Sequence, residues 1–122
     1  MSTPHGGGEP VRLHVHGRSR TDSAAVEQLA HELTAQTRSQ PGVLSYRWSR
    51  AVNSDRWLIE EEYSGTEAFG EHMAWMASSG QMRNLGGAFK VEEVLILSGD
   101  ADLVGSHLGP LPQAIYAVID AL

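Results

Sequence analysis

Cysteine is absent from the 122 residues, which excludes disulfides, thiolate nucleophiles and cysteine-ligated metal centres together. No run approaches the roughly 20 apolar residues that cross a bilayer. The first ten residues also lack a hydrophobic signal core. These absences together predict a cytoplasmic protein with no membrane partner. Positive charge is scarce as well: 9 Lys and Arg stand against 15 Asp and Glu, with no basic run. Phosphate backbones are held by clustered cations, so nucleic acid is not an expected partner. Neither Ser78-Ser79-Gly80 nor Leu85-Gly86-Gly87 makes a phosphate loop, because neither follows a strand or carries the lysine of that motif. No nucleophile-elbow pattern is visible either, which leaves acyl transfer without support.

The composition, 41% apolar and 20% charged, is that of a globular protein, and the length suits one core. Residues 1–10, rich in proline and glycine, read as a flexible leader that includes His5. Residues 11–98 read as the folded domain. Val11, Leu13 and Val15 alternate with Arg12, His14 and His16, the period of a half-buried strand. Thr21 or Asp22 is placed to cap a helix carrying Val26, Leu29, Ala30, Leu33 and Thr37 at helical spacing, ending before Pro41-Gly42. Two β-rich runs, 43–52 and 55–63, flank Asn53-Ser54 as a hairpin turn. Thr66 is expected to cap a second helix with Ala68, Phe69, His72, Met73 and Met76 on one stripe. A short helical turn at 79–85 and a strand at 91–97 follow.

That order, β-α-β-β-α-β, predicts an α+β ferredoxin-like sandwich with helices on one face of an antiparallel sheet. Uncovered apolar positions of the type of Val43, Leu58, Val94 and Ile96 on the other face predict a face-to-face homodimer. Residues 99–122 form an extension, in which Ile115, Val118, Ile119 and Leu122 suggest a short helix.

The hairpin register carries the candidate site. Pairing Val52 with Asp55 sets Trp48 opposite Ile59, Tyr46 opposite Glu61 and Leu44 opposite Tyr63 on one face, with Arg47 opposite Glu60 and Ser49 opposite Leu58 on the other. Glu61 then points at the helices and His72 at the sheet, a pair able to act as a general base or simply to make a structural hydrogen bond. Tyr46, Trp48, Trp57, Tyr63, Phe69 and Trp75 are six of the eight aromatic residues, and with Ile59, Met73 and Met76 they outline walls for a flat ligand. Tyr46 and Tyr63 can also place a substrate oxygen, and Arg83 can neutralise a developing oxyanion. His14 and His16 share a strand face and would need Glu60, Glu62 or Glu93 to complete a metal site. The bland alternative, an exposed or dimer-facing histidine pair, is the commoner arrangement, and no metal is assigned.

The segments PGVLSYRW (41–48) and RWLIEEEYSGTEAFGEHM (56–73) resemble the antibiotic biosynthesis monooxygenase family, a branch of the dimeric α+β barrel superfamily, and the likeness spans roughly residues 11–98. Glu61, Tyr63, Ala68, Phe69 and His72 carry its most specific part. The resemblance implies a homodimer whose eight strands close a barrel. It also implies oxidation of an aromatic or polyketide-like small molecule of secondary metabolism by molecular oxygen, with no cofactor. Relatives that form quinones typically carry Asn and Trp where Ile59 and Tyr63 align, and Tyr where Phe69 stands, whereas their helix-borne arginine matches Arg83. Haem-degrading relatives also need the Trp replaced by Tyr63, which disfavours that activity. In this reading Glu61 and His72 deprotonate the substrate while Tyr46, Tyr63 and Arg83 hold its oxyanion. The alternatives are a polyketide cyclase or isomerase using the same pocket, and a non-catalytic binding or accessory dimer.

Overall fold

The alternating segment at the start of the domain becomes β1 (Val11–Ser19), the middle of the sheet in a computed structural model that describes residues 9–122. The first eight positions of the expected leader, His5 among them, lie outside the described residues. After β1 come α1 (Ser23–Thr37), β2 (Val43–Arg50), β3 (Arg56–Tyr63), α2 (Thr66–Ser78), α3 (Gln81–Ala88), β4 (Phe89–Ser98), α4 (Ala101–Leu108) and β5 (Gln113–Ile115). The strand order is β2-β3-β1-β4-β5. The first four strands are antiparallel neighbours and β5 joins β4 in parallel. This is the ferredoxin-like α+β arrangement, with a fifth strand and a fourth helix added at its end.

Local chemistry explains most boundaries. The Asp22 carboxylate accepts the Ala25 amide and caps α1, whose buried side is Val26, Ala30, Leu33 and Thr37. The hairpin keeps the expected register: Trp48 faces Ile59, Tyr46 faces Glu61 and Arg47 faces Glu60. At its turn Asn53 takes a left-handed backbone (φ 57°), which asparagine tolerates better than most residues. A bulge between Val43 and Ser45 corrects the far end. Val43, not Leu44, faces Tyr63, and Leu44 is pushed outward to 57% exposure.

Other boundaries differ from expectation. Thr66 does not cap α2; it is the first helical residue after Gly65, and no side chain caps that end. The stripe of α2 behaves as expected, with Phe69, His72 and Met76 buried. The short helix α3 continues through Gly86 and Gly87 instead of stopping before them, and β4 begins at Phe89. Gly17 makes that start possible: a Cβ there would overlap the Phe89 ring and the Lys90 carbonyl.

Facing in β4 is also corrected. Val94 and Ile96 are buried on the helix side at 1% and 2% exposure, so Leu58, as expected, lies on the open face but is joined there by Leu95 and Leu97, among His14, His16, Glu60 and Glu62. Val43 packs against the core. The stretch VLIL is apolar in both phases, and only the pairing with β1, shifted by a bulge at His16/Gly17, selects the phase.

The extension is reorganised most. Its helix is α4, capped by the Asp100 carboxylate and burying Val104 and Leu108. The segment expected to be helical instead supplies β5, whose Gln113, Ala114 and Ile115 pair with Val94, Leu95 and Ile96. The unpaired edge of β4 offers backbone groups that a strand satisfies and a helix cannot. Residues 116–122 have no regular structure, and Val118, Ile119 and Leu122 are exposed.

Candidate functional site

Between the sheet and helices α2 and α3 lies a cavity of about 290 Å³, close to the lower end of the roughly 300–1,000 Å³ seen for small-ligand sites. Leu13, Val15, Ile59 and Val94 form its sheet wall, Phe69, Met73 and Met76 its α2 wall, and Met82, Leu85 and Phe89 a third side. Four polar side chains interrupt this lining: Arg20, Tyr46, Glu61 and His72. No helix among the described residues is long and apolar enough to cross a membrane.

Glu61 and Tyr63 are two residues apart on β3 and therefore share a face. The Tyr63 hydroxyl donates to Glu61 Oε1 at 2.5 Å. Burial pushes the Glu61 carboxyl up to about 7, against a smaller downward pull from the Tyr63 hydrogen bond. The Tyr63 hydroxyl is pushed well above its ordinary value by burial, then by the adjacent Glu61 charge. Tyr46, across the ladder on β2, is pushed up for the same two reasons, burial first. Its hydroxyl is directed toward Thr37 and Trp48, yet Thr37 Oγ1 and Trp48 Nε1 are sealed from solvent without a well-aligned partner.

His72 does not bond to Glu61. Its Nδ1 lies 2.8 Å from Gln40 Oε1, a residue just before the Pro41-Gly42 turn. A carbonyl oxygen accepts, so Nδ1 carries the proton and Nε2 keeps the lone pair in the neutral ring. Burial lowers the His72 pKa to about 4, so the ring is neutral near pH 7. Nε2 has no partner among the described residues and is not one of the sealed-off polar atoms, although the residue as a whole is only 4% exposed. Tyr46, Tyr63 and Trp75 surround the imidazole at centroid distances of 5.7, 5.4 and 5.8 Å.

The expected site residues thus separate into groups. Tyr46, Ile59, Glu61, Phe69, His72, Met73 and Met76 meet at the cavity. Tyr63 stands behind it, holding Glu61, and Trp75 stacks beside His72 without lining it. Trp48 and Trp57 line an outer groove between α1 and β2, and Trp57 Nε1 donates to Ser19 Oγ at 2.9 Å. Arg83 lies on the exposed side of α3, next to Thr21 and Asn84 on a separate surface groove. His14 pairs with Glu60 and His16 with Glu93 across the open face, but no three metal-binding side chains converge among the described residues. Sequence reasoning missed Arg20, Gln40 and Phe89, which lie outside the hairpin and α2. Only the position of Phe89, one of two aromatics left over, hinted at a role.

The sequence pattern described as antibiotic biosynthesis monooxygenase matches residues 15–78, more than half of the chain. The chain belongs to the antibiotic biosynthesis monooxygenase family. Solved members of this fold include MupZ from Pseudomonas fluorescens, 15% identical over 94% of both chains with a TM-score of 0.72. SnoaB, a cofactor-independent oxygenase from Streptomyces nogalater, is 16% identical over 70% of this chain and 88% of its own, TM-score 0.63. Rv0793 from Mycobacterium tuberculosis is 21% identical over 70% and 92%, TM-score 0.60. No curated protein sequence matches the chain. At such identities the likeness establishes the fold, and for MupZ it takes in most of the region beyond β4. Within this antibiotic biosynthesis monooxygenase domain, the Tyr63 hydroxyl is spent on Glu61 rather than facing the cavity.

Proposed function

We propose that the protein is a cofactor-independent monooxygenase acting on a small, largely apolar aromatic or polyketide-like molecule held in the cavity between β3 and α2. The observation that carries this reading is Glu61: a carboxyl with its pKa near 7, facing an apolar cavity and backed by a tyrosine hydroxyl. A base is most useful when its pKa lies near the working pH. Glu61 takes a proton from a phenol or an activated CH₂ of the substrate. Tyr46 donates to the resulting oxyanion, and its high pKa keeps it protonated for that purpose. His72, neutral and with Nε2 bare, accepts a second proton or orients the substrate hydroxyl.

The electron-rich anion then reduces dioxygen. A carbon–oxygen bond forms to give a peroxide, the O–O bond breaks with loss of water, and a carbonyl remains. Conversion of a CH₂ to a carbonyl supplies the four electrons that reduce O₂, one oxygen staying in the product and the other leaving as water. The protein's own part is to bind, to take up protons and to exclude bulk water from the anion.

A homodimer formed through the open sheet face is part of this proposal, supported by Leu58, Leu95 and Leu97 on that face. An oxygen electrode with hydroxylated anthrones or naphthols, followed by ¹⁸O₂ labelling, tests the reaction. One labelled oxygen in the product carbonyl and one O₂ consumed per turnover are expected. Turnover without oxygen uptake would instead make the protein a cyclase or isomerase, and tight binding without turnover a binding module.

A further inference from the structure

The cavity has an asymmetry that the proposed reaction does not use. Among its lining residues only Arg20 and Gly86 are exposed, and they lie together, so they mark the mouth. Arg20 follows β1 directly, and its amide donates to the Ala88 carbonyl at 2.8 Å. Its side chain is held as well: Nε donates to the Gly86 carbonyl at 2.8 Å. That bond consumes one donor and leaves the two terminal NH₂ groups of the guanidinium available.

Those groups have no carboxylate partner. Arg18 and Arg47 each hold an acid, Arg18 bridging Asp55 and Glu92 and Arg47 facing Glu60, but Arg20 makes no ion pair among the described residues. Several other cations also lack an ion pair among the described residues, but among the residues lining this cavity Arg20 is the one cation, and its Nε is tethered there. The other ionisable groups of the lining do not compete for an anion: His72 is neutral near pH 7, and Glu61 is half protonated there. A planar guanidinium with two free NH₂ groups matches the two oxygens of a carboxylate.

We infer that Arg20 is a substrate-binding and specificity-determining residue that selects an anionic ligand, its apolar ring system lodged among the Met and Phe side chains and its carboxylate meeting the guanidinium at the mouth. This rests on the reading of the cavity as the substrate site and narrows the substrate class to aromatic carboxylates. The ligand's reacting carbon then lies at the opposite end from its charge, toward Glu61.

A matched pair of probes isolates the effect: 2-naphthoate and 2-naphthamide have the same ring system and differ in charge. Binding to the full chain is measured by calorimetry at low and at 0.5 M salt, with Arg20→Gln, Arg20→Lys and, as a control for net charge, Lys90→Gln. Wild type and Lys90→Gln are expected to bind the carboxylate about tenfold more tightly than the amide, the size expected of one partly exposed charge-assisted contact, and high salt is expected to shrink the preference. Arg20→Gln should abolish the preference while leaving the amide's affinity within about twofold of wild type, and Arg20→Lys should retain part of it.

Equal binding of the two probes by wild type, or an undiminished preference in Arg20→Gln, overturns the role of Arg20 and leaves the oxygenase reading standing. Failure of both probes to bind at millimolar concentration overturns the cavity as an aromatic site and the Arg20 assignment with it. An anion preference that is lost in Arg20→Gln, with no oxygen uptake on the anthrone and naphthol substrates, would separate the two readings in the other direction, upholding Arg20 and overturning the oxygenase.

Discussion

The Tyr63 hydroxyl donates to Glu61 Oε1 at 2.5 Å, so two of the side chains that β3 turns toward the helices act as one unit at the edge of the cavity. Tyr63 is fully buried against Phe69 at a ring distance of 5.3 Å, whereas Glu61 reaches the cavity lining. The proposed base is therefore held by a residue that is itself immobilised by packing.

From this relationship, Glu61→Gln is expected to lower oxygen consumption by about 100-fold or more, because the glutamine keeps the hydrogen-bond acceptor but cannot take a proton. Tyr63→Phe is expected to act differently. Its hydrogen bond pulls the Glu61 pKa down from the value burial would impose, so the acidic limb of the rate profile, where a general base gains its proton, should move above about pH 7. A pH–rate profile of both variants checks the two statements, and an unmoved limb in Tyr63→Phe would count against the pairing.

The Gln40–His72 bond predicts a definite tautomer. Nitrogen NMR of the imidazole should find Nδ1 protonated and Nε2 bare in the wild type at pH 7, as the 2.8 Å contact with Gln40 Oε1 requires. Gln40→Met removes the acceptor and should mix the two tautomers, while Gln40→Glu should raise the His72 pKa from its low value near 4. Observation of a proton on Nε2 in the wild type would reverse the assignment of the Gln40 amide.

Stability should depend on pH in opposite senses at two positions. Glu61 holds its proton up to about pH 7 in the folded chain against 4.5 ordinarily, so its burial destabilises the fold progressively as pH rises through that window. His72 titrates near 4 instead of 6.5 when folded, so the unfolded chain binds the extra proton and stability rises with pH between those values. The two slopes largely cancel in the wild type between about 4.5 and 6.5. Urea unfolding of Glu61→Gln should expose the rise alone, and that of His72→Gln the fall alone, each on the order of 3 kcal/mol across its window.

Gly17→Ala is expected to destabilise the domain by about 1–3 kcal/mol, since the new methyl must displace the Phe89 ring or the backbone at Lys90. Thermal unfolding measures the loss. Gly86→Ala, which meets nothing within 4 Å, serves as the comparison and should be neutral or slightly stabilising.

The proposed homodimer can be tested without touching the cavity. Leu95→Asp with Leu97→Asp places two charges on the open face. The expected result is a monomer by light scattering where the wild type is a dimer, and a wild type that is already monomeric would end that part of the proposal.

Much of the fold was readable along the chain because its signals are local. The alternation of β1, the Asp22 cap, the hairpin register from Trp48 to Glu61 and the stripe of α2 each depend on neighbours within a few residues, and each appears in the structure. Glu61 and His72 were found at the cavity for the same reason: one is placed by a strand's period and the other by a helix's. Their expected bond was not, because a direct contact depends on how far apart sheet and helix pack, and each residue finds a nearer partner in Tyr63 or Gln40.

By itself, then, the sequence determined the element order, the family, and which face of β3 and α2 would carry the polar centre. Tertiary structure alone decided the facing of β4, where VLIL is apolar in both phases and only the pairing with β1 chooses. It also turned the expected C-terminal helix into β5, because an open strand edge needs backbone partners that hydrophobic period does not encode. The same long-range packing left Arg83 outside and brought Arg20 to the cavity mouth. No local pattern marks an arginine 41 positions before Glu61 as its neighbour across a cavity; only the folding of the β1 end against α3 does.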